Sequence, residues 1–131
     1  MMSLAVEDAM RTDSVVLCEP GESITEIARR AEAKPNVALL LRMRAGEWWL
    51  LDREDVMRLA PDASPTVTAI RAKSKGPVPY LFPDQTLSEA LAVMADWPVL
   101  PVANRANLAK LEGILTLEDT LTAFRKTPKE D

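Results

Sequence analysis

The amino-acid sequence predicts an α+β protein made of two copies of one unit, each with the order strand, helix, strand, strand, helix. The first observation is an internal repeat, in which a shift of 63 residues places Pro20 on Pro83 and Pro35 on Pro98. The second is that short apolar runs and helical apolar spacing follow in the same order in both copies. The third is a helix-start signal at matching positions. We therefore expect small sheets packed with helices, in two repeats related by a pseudo-twofold axis.

Each copy opens with a short apolar run, VVLC or VPYLF, and continues with an amphipathic helix. Apolar residues recur at i, i+3, i+4 and i+7, which is typical of a helix that packs one face on a core. They are Ile24, Ile27, Ala28 and Ala31 in the first copy and Leu87, Ala90, Leu91 and Met94 in the second. Ser23 with Glu26, and Thr86 with Glu89, predict a capping box at the start of each helix.

Two further apolar runs, separated by a short polar turn, complete the sheet of each copy. They lie at residues 37–41 and 48–51, and again at 99–103 and 113–115. Such a short turn predicts antiparallel neighbours, whereas the preceding helix crosses over between strands of one sheet. A second helix follows in each copy, and after one inserted residue it aligns Asp55 with Asp119.

The repeat also sets the predicted domain boundaries. The first copy spans residues 1–60 and the second spans 78–126, with a linker at 61–77 and a tail at 127–131. The linker is rich in alanine, serine and proline, and a short strand is expected within it at 66–70. Its basic cluster RAKSK, residues 71–75, is interpreted as solvated.

Composition excludes several classes of function. Twenty acidic and 16 basic residues give a formal charge of −4, and no basic face suited to nucleic acid is evident. With one cysteine and no histidine, the chain cannot build a disulfide framework, a Cys/His zinc site or an imidazole-based active site. We expect no metal and no enzymatic activity, and we expect Cys18 to be a small core residue.

The apolar runs are much shorter than the roughly 18 residues that span a bilayer. The N-terminal segment also lacks the basic start and apolar stretch of a secretion signal. We therefore expect a cytoplasmic chain without direct membrane insertion.

The strongest functional motif is GILTLED, residues 113–119. Thr116 and Asp119 form a Thr-x-x-Asp pattern that caps a helix. The same pair could also hold a ribose and a phosphate, because a carboxylate accepts bonds from both hydroxyls of a diol and a helix start favours an anion. The two roles are compatible.

With this motif, each copy resembles a CBS domain, and the two copies together resemble the paired CBS (Bateman) module over nearly the whole chain. The motif is similar to the family pattern of Gly, two apolar residues, Thr or Ser, two variable residues and Asp. The segments FPDQTLSEALAVM and LEGILTLEDTL are in addition similar to the second CBS repeat in the cytoplasmic tails of bacterial chloride channel/transporter proteins.

The resemblance implies a regulatory module that senses AMP, ADP or ATP and controls an attached or associated protein, here a chloride channel or transporter. Asp119 would accept bonds from the ribose hydroxyls, and Thr116 would contact phosphate. The adenine would be walled by six residues of the first copy: Val15, Val16, Lys34, Asn36, Val37 and Ala38.

The resemblance also implies a homodimer, in which the helix at 119–125 would present Leu121 and Phe124 to a second copy of the chain. The alternative function is a structural dimerisation module that binds no ligand. Titration with adenine nucleotides discriminates between the two.

The first copy departs from the motif, since Trp49 aligns with Gly113 and Asp52 with Thr116. We expect its half-site to be closed to nucleotides, because a ring stands where the backbone should be open and a carboxylate repels phosphate. Trp48 and Trp49 adjoin on one predicted strand, so one ring should enter the core and the other should face outward.

Overall fold

The fold is taken from a computed structural model, which describes residues 4–62, 66–67, 70 and 76–126. The elements in chain order are α1 (Val6–Ala9), β1 (Val15–Cys18), α2 (Ile24–Ala33), β2 (Ala38–Arg44), β3 (Glu47–Leu51), α3 (Arg53–Leu59), α4 (Leu87–Val93), β4 (Val99–Ala103), β5 (Leu111–Thr116) and α5 (Leu117–Lys126). The predicted α+β class is confirmed. None of the helices in the described ranges has the length and apolar character needed to cross a membrane.

The chain divides into two compact units. The central unit is Ser14–Val78, and the terminal unit combines the segment before residue 14 with the chain from Pro79 onward. This division differs from the boundaries predicted from the repeat, because residues 4–13 precede the first copy in sequence but belong with the second.

The central unit contains the sheet β1-β2-β3. β1 pairs with β2 in parallel, with Val15 opposite Ala38, and α2 supplies the crossover. β2 pairs with β3 in antiparallel orientation, with Leu41 opposite Trp49. All four predicted apolar positions of α2 are buried in the core of this unit, as the helical spacing requires.

The terminal unit contains the antiparallel pair β4-β5, with α4 before it and α5 after it. The strand predicted at the start of the second copy is wrong. Two isolated bridges stand in its place. Val78 pairs with Trp48 of the central unit, and Leu81 pairs in parallel with Val102, accepting from the Ala103 N–H and donating to the Pro101 carbonyl. Pro79 and Pro83 flank Leu81 and have no N–H to donate, so the ladder cannot extend.

The hydroxyl half of each predicted capping box forms. The Ser23 hydroxyl accepts from the Glu26 N–H at 3.2 Å, and the Thr86 hydroxyl accepts from the Glu89 N–H at 3.1 Å. The Glu26 carboxylate instead binds Arg29. An arginine one turn away is a stronger partner for a carboxylate than a backbone N–H is.

Each unit includes a segment that lies outside the predicted repeat copy it packs with. In the terminal unit Ala5 pairs with Thr86, and in the central unit Thr66 pairs with Ser23. These partners are the N-caps of α4 and α2, so the segments that begin near residues 4 and 66 have equivalent places.

The predicted linker is therefore partly core. Val67 is fully buried and Ile70 is 2% exposed, and both belong to the central core. The strand expected at 66–70 is limited to the bridge at Thr66, since Ile70 is helical. The basic cluster at 71–75 and the tail at 127–131 lie outside the described residues.

Of the remaining predictions for single residues, some are confirmed and one is not. Cys18 is buried as expected, and burial raises the pKa of its thiol to about 12. Trp48 is also fully buried. The second ring of the pair was expected to face outward, but Trp49 is half-buried and packs against the central core.

Candidate functional site

Thr116 is the last residue of β5 and caps α5. Its hydroxyl accepts a hydrogen bond from the Asp119 N–H at 3.0 Å, while its carbonyl accepts from the Thr120 hydroxyl at 2.9 Å. Thr120 is fully buried, so this helix start is anchored to the interior of the terminal unit. The predicted capping role of Thr116 is confirmed.

Asp119 is already bound by an arginine that the sequence did not point to. Arg11 donates from Nε to Oδ2 at 2.6 Å and from a terminal nitrogen to Oδ1 at 2.9 Å. The bond from Arg11 holds the pKa of Asp119 below its usual value, against the opposing effect of burial. The carboxylate is thus ionised at neutral pH, and each of its oxygens accepts from a donor.

The backbone of Arg11 is fixed independently of its side chain. Its N–H donates to the Ile114 carbonyl at 2.8 Å, and its carbonyl accepts from the Ile114 N–H at 2.9 Å. These two bonds place residue 11 beside Ile114 of β5, three residues before α5 begins at Leu117. The guanidinium therefore reaches Asp119 from a backbone that is held in place.

Gly113 has a different role from the one expected. A Cβ at this position would lie 2.5 Å from the Arg11 carbonyl oxygen and 3.4 Å from the sulfur of Met10. We predicted that the backbone at this glycine is open, but Arg11 and Met10 cover it. The glycine of the motif allows the N-terminal segment to approach β5 closely.

The six residues predicted to contact adenine lie in the central unit. β1 and β2 place Val15 opposite Ala38, whose N–H donates to the Ser14 carbonyl at 3.0 Å. Asn36 has a φ of 65°, a left-handed conformation that asparagine tolerates, and Lys34 is the C-cap of α2. Val37 leads into β2 and packs partly buried against the core.

Val15 and Val16 face opposite sides of β1. Val15 is half-buried, whereas Val16 is 6% exposed and belongs to the central core. A ligand could therefore contact the side chain of Val15 but only the backbone of Val16. The alternation along the strand could have been read from the sequence.

The equivalent helix start in the central unit has its own arrangement. Asp55 is the third residue of α3, as Asp119 is of α5, so the predicted equivalence of the two helix starts is confirmed. Asp52 caps α3 by accepting from the Glu54 N–H at 2.8 Å. Asp55 binds Arg58 of its own helix at 2.9 Å, which contrasts with the distant partner of Asp119.

Comparisons with known proteins agree with this fold. Residues 67–126 match the family model of the CBS domain. The CBS domain pair/ACT domain protein from Thermotoga maritima superimposes with a TM-score of 0.70 at 20% identity, covering 94% of this chain and 98% of that one. The chain has the fold of a CBS domain pair. A comparison with curated proteins gives no match.

Two similar structures contain adenine compounds. The CBS domain pair of protein MJ0100, in complex with 5′-methylthioadenosine and S-adenosyl-L-methionine, has a TM-score of 0.69 at 17% identity and covers 95% of this chain and 98% of that one. The cytosolic domain of the Mg²⁺ channel MgtE, in complex with ATP, has a TM-score of 0.66 at 24% identity. The match covers 87% of this chain and 46% of that one. These comparisons do not show the similarity of the second CBS repeat to chloride channel/transporter proteins.

Proposed function

We propose that this chain is a regulatory CBS pair that binds an adenine nucleotide through Asp119 and Thr116. The observation that carries the proposal is the way Arg11 engages Asp119. Two donors approach the two carboxylate oxygens side by side, at 2.6 and 2.9 Å. The two hydroxyls of a ribose offer a similar pair of donors, so the carboxylate is oriented for a diol.

The start of α5 also suits the phosphate of the same ligand. Thr116 places a hydroxyl there, and α5 has ten residues, so its N-terminus contributes a favourable helix dipole for an anion. That Val15, Val16, Lys34, Asn36, Val37 and Ala38 contact the base stays a prediction from the sequence. The adenine compounds in the MJ0100 and MgtE structures support this ligand class.

Calorimetric titration of the full chain with AMP, ADP and ATP, with and without magnesium, tests the proposal. We expect at most one site per chain, because Asp52 and Trp49 replace Thr116 and Gly113 in the first copy. At a ligand concentration 100 times the dissociation constant, binding should stabilise the fold by about 2.7 kcal/mol.

The control ligand is 2′-deoxy-AMP, which removes one donor to Asp119 and should bind about tenfold more weakly than AMP. If millimolar nucleotide gives neither heat nor a shift in melting temperature, the sensor proposal is wrong. The structural dimerisation module would then be the better description.

We further propose that the chain forms a homodimer through α5. Leu121 and Phe124 on this helix are each 39% exposed, and Val93 on α4 is 37% exposed. Burying such side chains against a second copy removes apolar surface from water.

Light scattering at tens of micromolar should give about twice the chain mass of 14.5 kDa. Phe124→Glu should reduce it to the chain mass, because a carboxylate would be buried without a partner. Ala106→Glu adds the same charge at an exposed position of the β4–β5 turn and should leave the dimer intact. A wild-type protein that scatters at 14.5 kDa would contradict the dimer.

The controlled protein is proposed to be a membrane transporter or channel, with this module on its cytoplasmic side. The MgtE cytosolic domain, which has the same fold, supports this class of partner. The narrower link to a chloride channel or transporter rests on the sequence segments of the second copy.

A further inference from the structure

The proposed ribose acceptor, Asp119, is bound by Arg11. Both oxygens of Asp119 accept bonds from Arg11, and the Asp119 side chain is only 16% exposed. Each oxygen keeps a second lone pair, but the guanidinium takes the side-by-side position across both oxygens that a diol would use, so Arg11 and a diol compete for Asp119. The ligand that binds best is the one that gives the displaced arginine a new partner.

Arg11 is free to make such an exchange without moving its backbone. Its side chain is 53% exposed, while its N–H and carbonyl remain bonded to Ile114. Only side-chain rotation is needed to turn the guanidinium away from Asp119. Rotamer changes of exposed side chains are fast compared with ligand binding.

The charges around Arg11 make it important for any anion. Asp119, Glu118 and Asp13 all act electrostatically on this guanidinium. Without a cation, these acidic groups would repel a phosphate approaching the start of α5. Arg11 is the basic side chain that the described residues bring to Asp119, and guanidinium binds phosphate through two parallel donors.

We propose that Arg11 binds the phosphate of the ligand after changing partner, from Asp119 in the free protein to phosphate in the complex. This inference rests on the proposed function and deepens it. Arg11 thereby makes the site selective for nucleotides over nucleosides. Adenosine offers Asp119 a diol but leaves the displaced guanidinium without an anion, whereas AMP satisfies both groups.

A simpler role for the ion pair would be to fasten the N-terminal segment to the terminal unit. That segment is already held by the backbone bonds of Arg11 and by Val6, which is fully buried and whose N–H donates to the Gln85 carbonyl at 2.8 Å. An ion pair whose arginine is 53% exposed adds little to such an attachment. A fastening role would also affect both ligands equally, which separates it from the proposal.

The test compares AMP and adenosine by calorimetry on the wild-type chain and on the variants Arg11→Gln, Arg11→Lys and Arg105→Gln. The wild type should bind AMP at least about tenfold more tightly than adenosine, from one charge-assisted contact to phosphate. In Arg11→Gln, AMP binding should weaken by about tenfold and adenosine binding should stay equal or improve, since Asp119 is released. The AMP-to-adenosine ratio should thus fall close to one.

Arg105→Gln is the matched control, because Arg105 binds Asp84 in the same unit at 2.7 Å and its side chain is 57% exposed. It should keep the wild-type ratio. Arg11→Lys retains a cation for the phosphate but not the two parallel donors, so its AMP affinity should lie between those of the wild type and Arg11→Gln, which also guards against misfolding of the glutamine variant.

An unchanged ratio in Arg11→Gln overturns the proposal. Equal weakening of both ligands also overturns it, since Arg11 would then only position Asp119. If the wild type binds AMP and Arg11→Gln binds it equally well, the proposed function stands while this inference fails. If the wild type binds neither ligand, both fail.

Discussion

Gly113→Ala is expected to lower the free energy of unfolding by about 2–3 kcal/mol, whereas Gly21→Ala should change it by less than about 1 kcal/mol. The new Cβ at 113 would lie 2.5 Å from the Arg11 carbonyl oxygen and 3.3 Å from its carbonyl carbon. Both are backbone atoms, so neither can rotate away. At Gly21 no atom lies within 4 Å of the corresponding Cβ.

The physical consequence at 113 is that residue 11 must move off β5. Its two backbone bonds with Ile114 would lengthen or break, and the Arg11 guanidinium would lose its fixed position beside Asp119. Thermal unfolding should show a melting temperature roughly 10 °C below wild type for Gly113→Ala. Similar melting temperatures for the two alanine variants would contradict the close approach seen in the structure.

The parts of the fold that sequence predicted well are those fixed by neighbouring residues. The caps at Ser23 and Thr86 and the apolar face of α2 depend on residues within a few positions of each other, and all are observed. The failed strand at Leu81 shows the limit of an apolar pattern. Pro79 and Pro83 were visible in the sequence, and their missing N–H groups outweigh the apolar run.

The segments that complete each unit could not be assigned from sequence. Residues 4–13 lie next to the first copy in the chain, yet their partners are Thr86 and Ile114 of the terminal unit. Likewise, the alanine- and proline-rich composition around Val67 and Ile70 suggests a linker, although both side chains are buried. These pairings join residues that are far apart in sequence, so they cannot be predicted from local composition.

The residues of the candidate site likewise include some that were predicted from near neighbours in sequence and one that was missed. Thr116 and Asp119 were predicted because a cap needs its residues three positions apart, and the cap forms. Arg11 was missed because it lies 108 residues from Asp119. Gly113 was recognised as special, but only the structure shows that the chain itself approaches it, through Met10 and Arg11.

Asp119→Ala is expected to weaken AMP binding by about 100-fold, while Asp55→Ala should leave it within about twofold. Two bonds to a charged acceptor are worth roughly 1.5 kcal/mol or more each, and tenfold corresponds to 1.4 kcal/mol. The control is closely matched. Asp55 is the third residue of its helix, is 24% exposed and binds an arginine that is 54% exposed, against 16% and 53% for Asp119 and Arg11.

Loss of binding in Asp119→Ala must be separated from loss of structure. The cap itself uses the Thr116 hydroxyl and the backbone N–H of residue 119, so it survives the substitution. Asp119→Asn keeps the size and one acceptor oxygen, and should bind AMP about tenfold more weakly than wild type. Melting temperatures of all three variants without ligand establish that they are folded.

A double-mutant cycle with 2′-deoxy-AMP identifies the ribose contact directly. The wild type should lose about tenfold in affinity when the 2′-hydroxyl is removed, but Asp119→Ala should lose almost nothing, because the acceptor is already gone. Asp55→Ala should show the wild-type loss. If AMP binding instead survives both Asp119 substitutions and disappears in Asp55→Ala, the nucleotide binds at the start of α3. The aligned aspartates would then have exchanged roles, and the assignment based on GILTLED would be wrong.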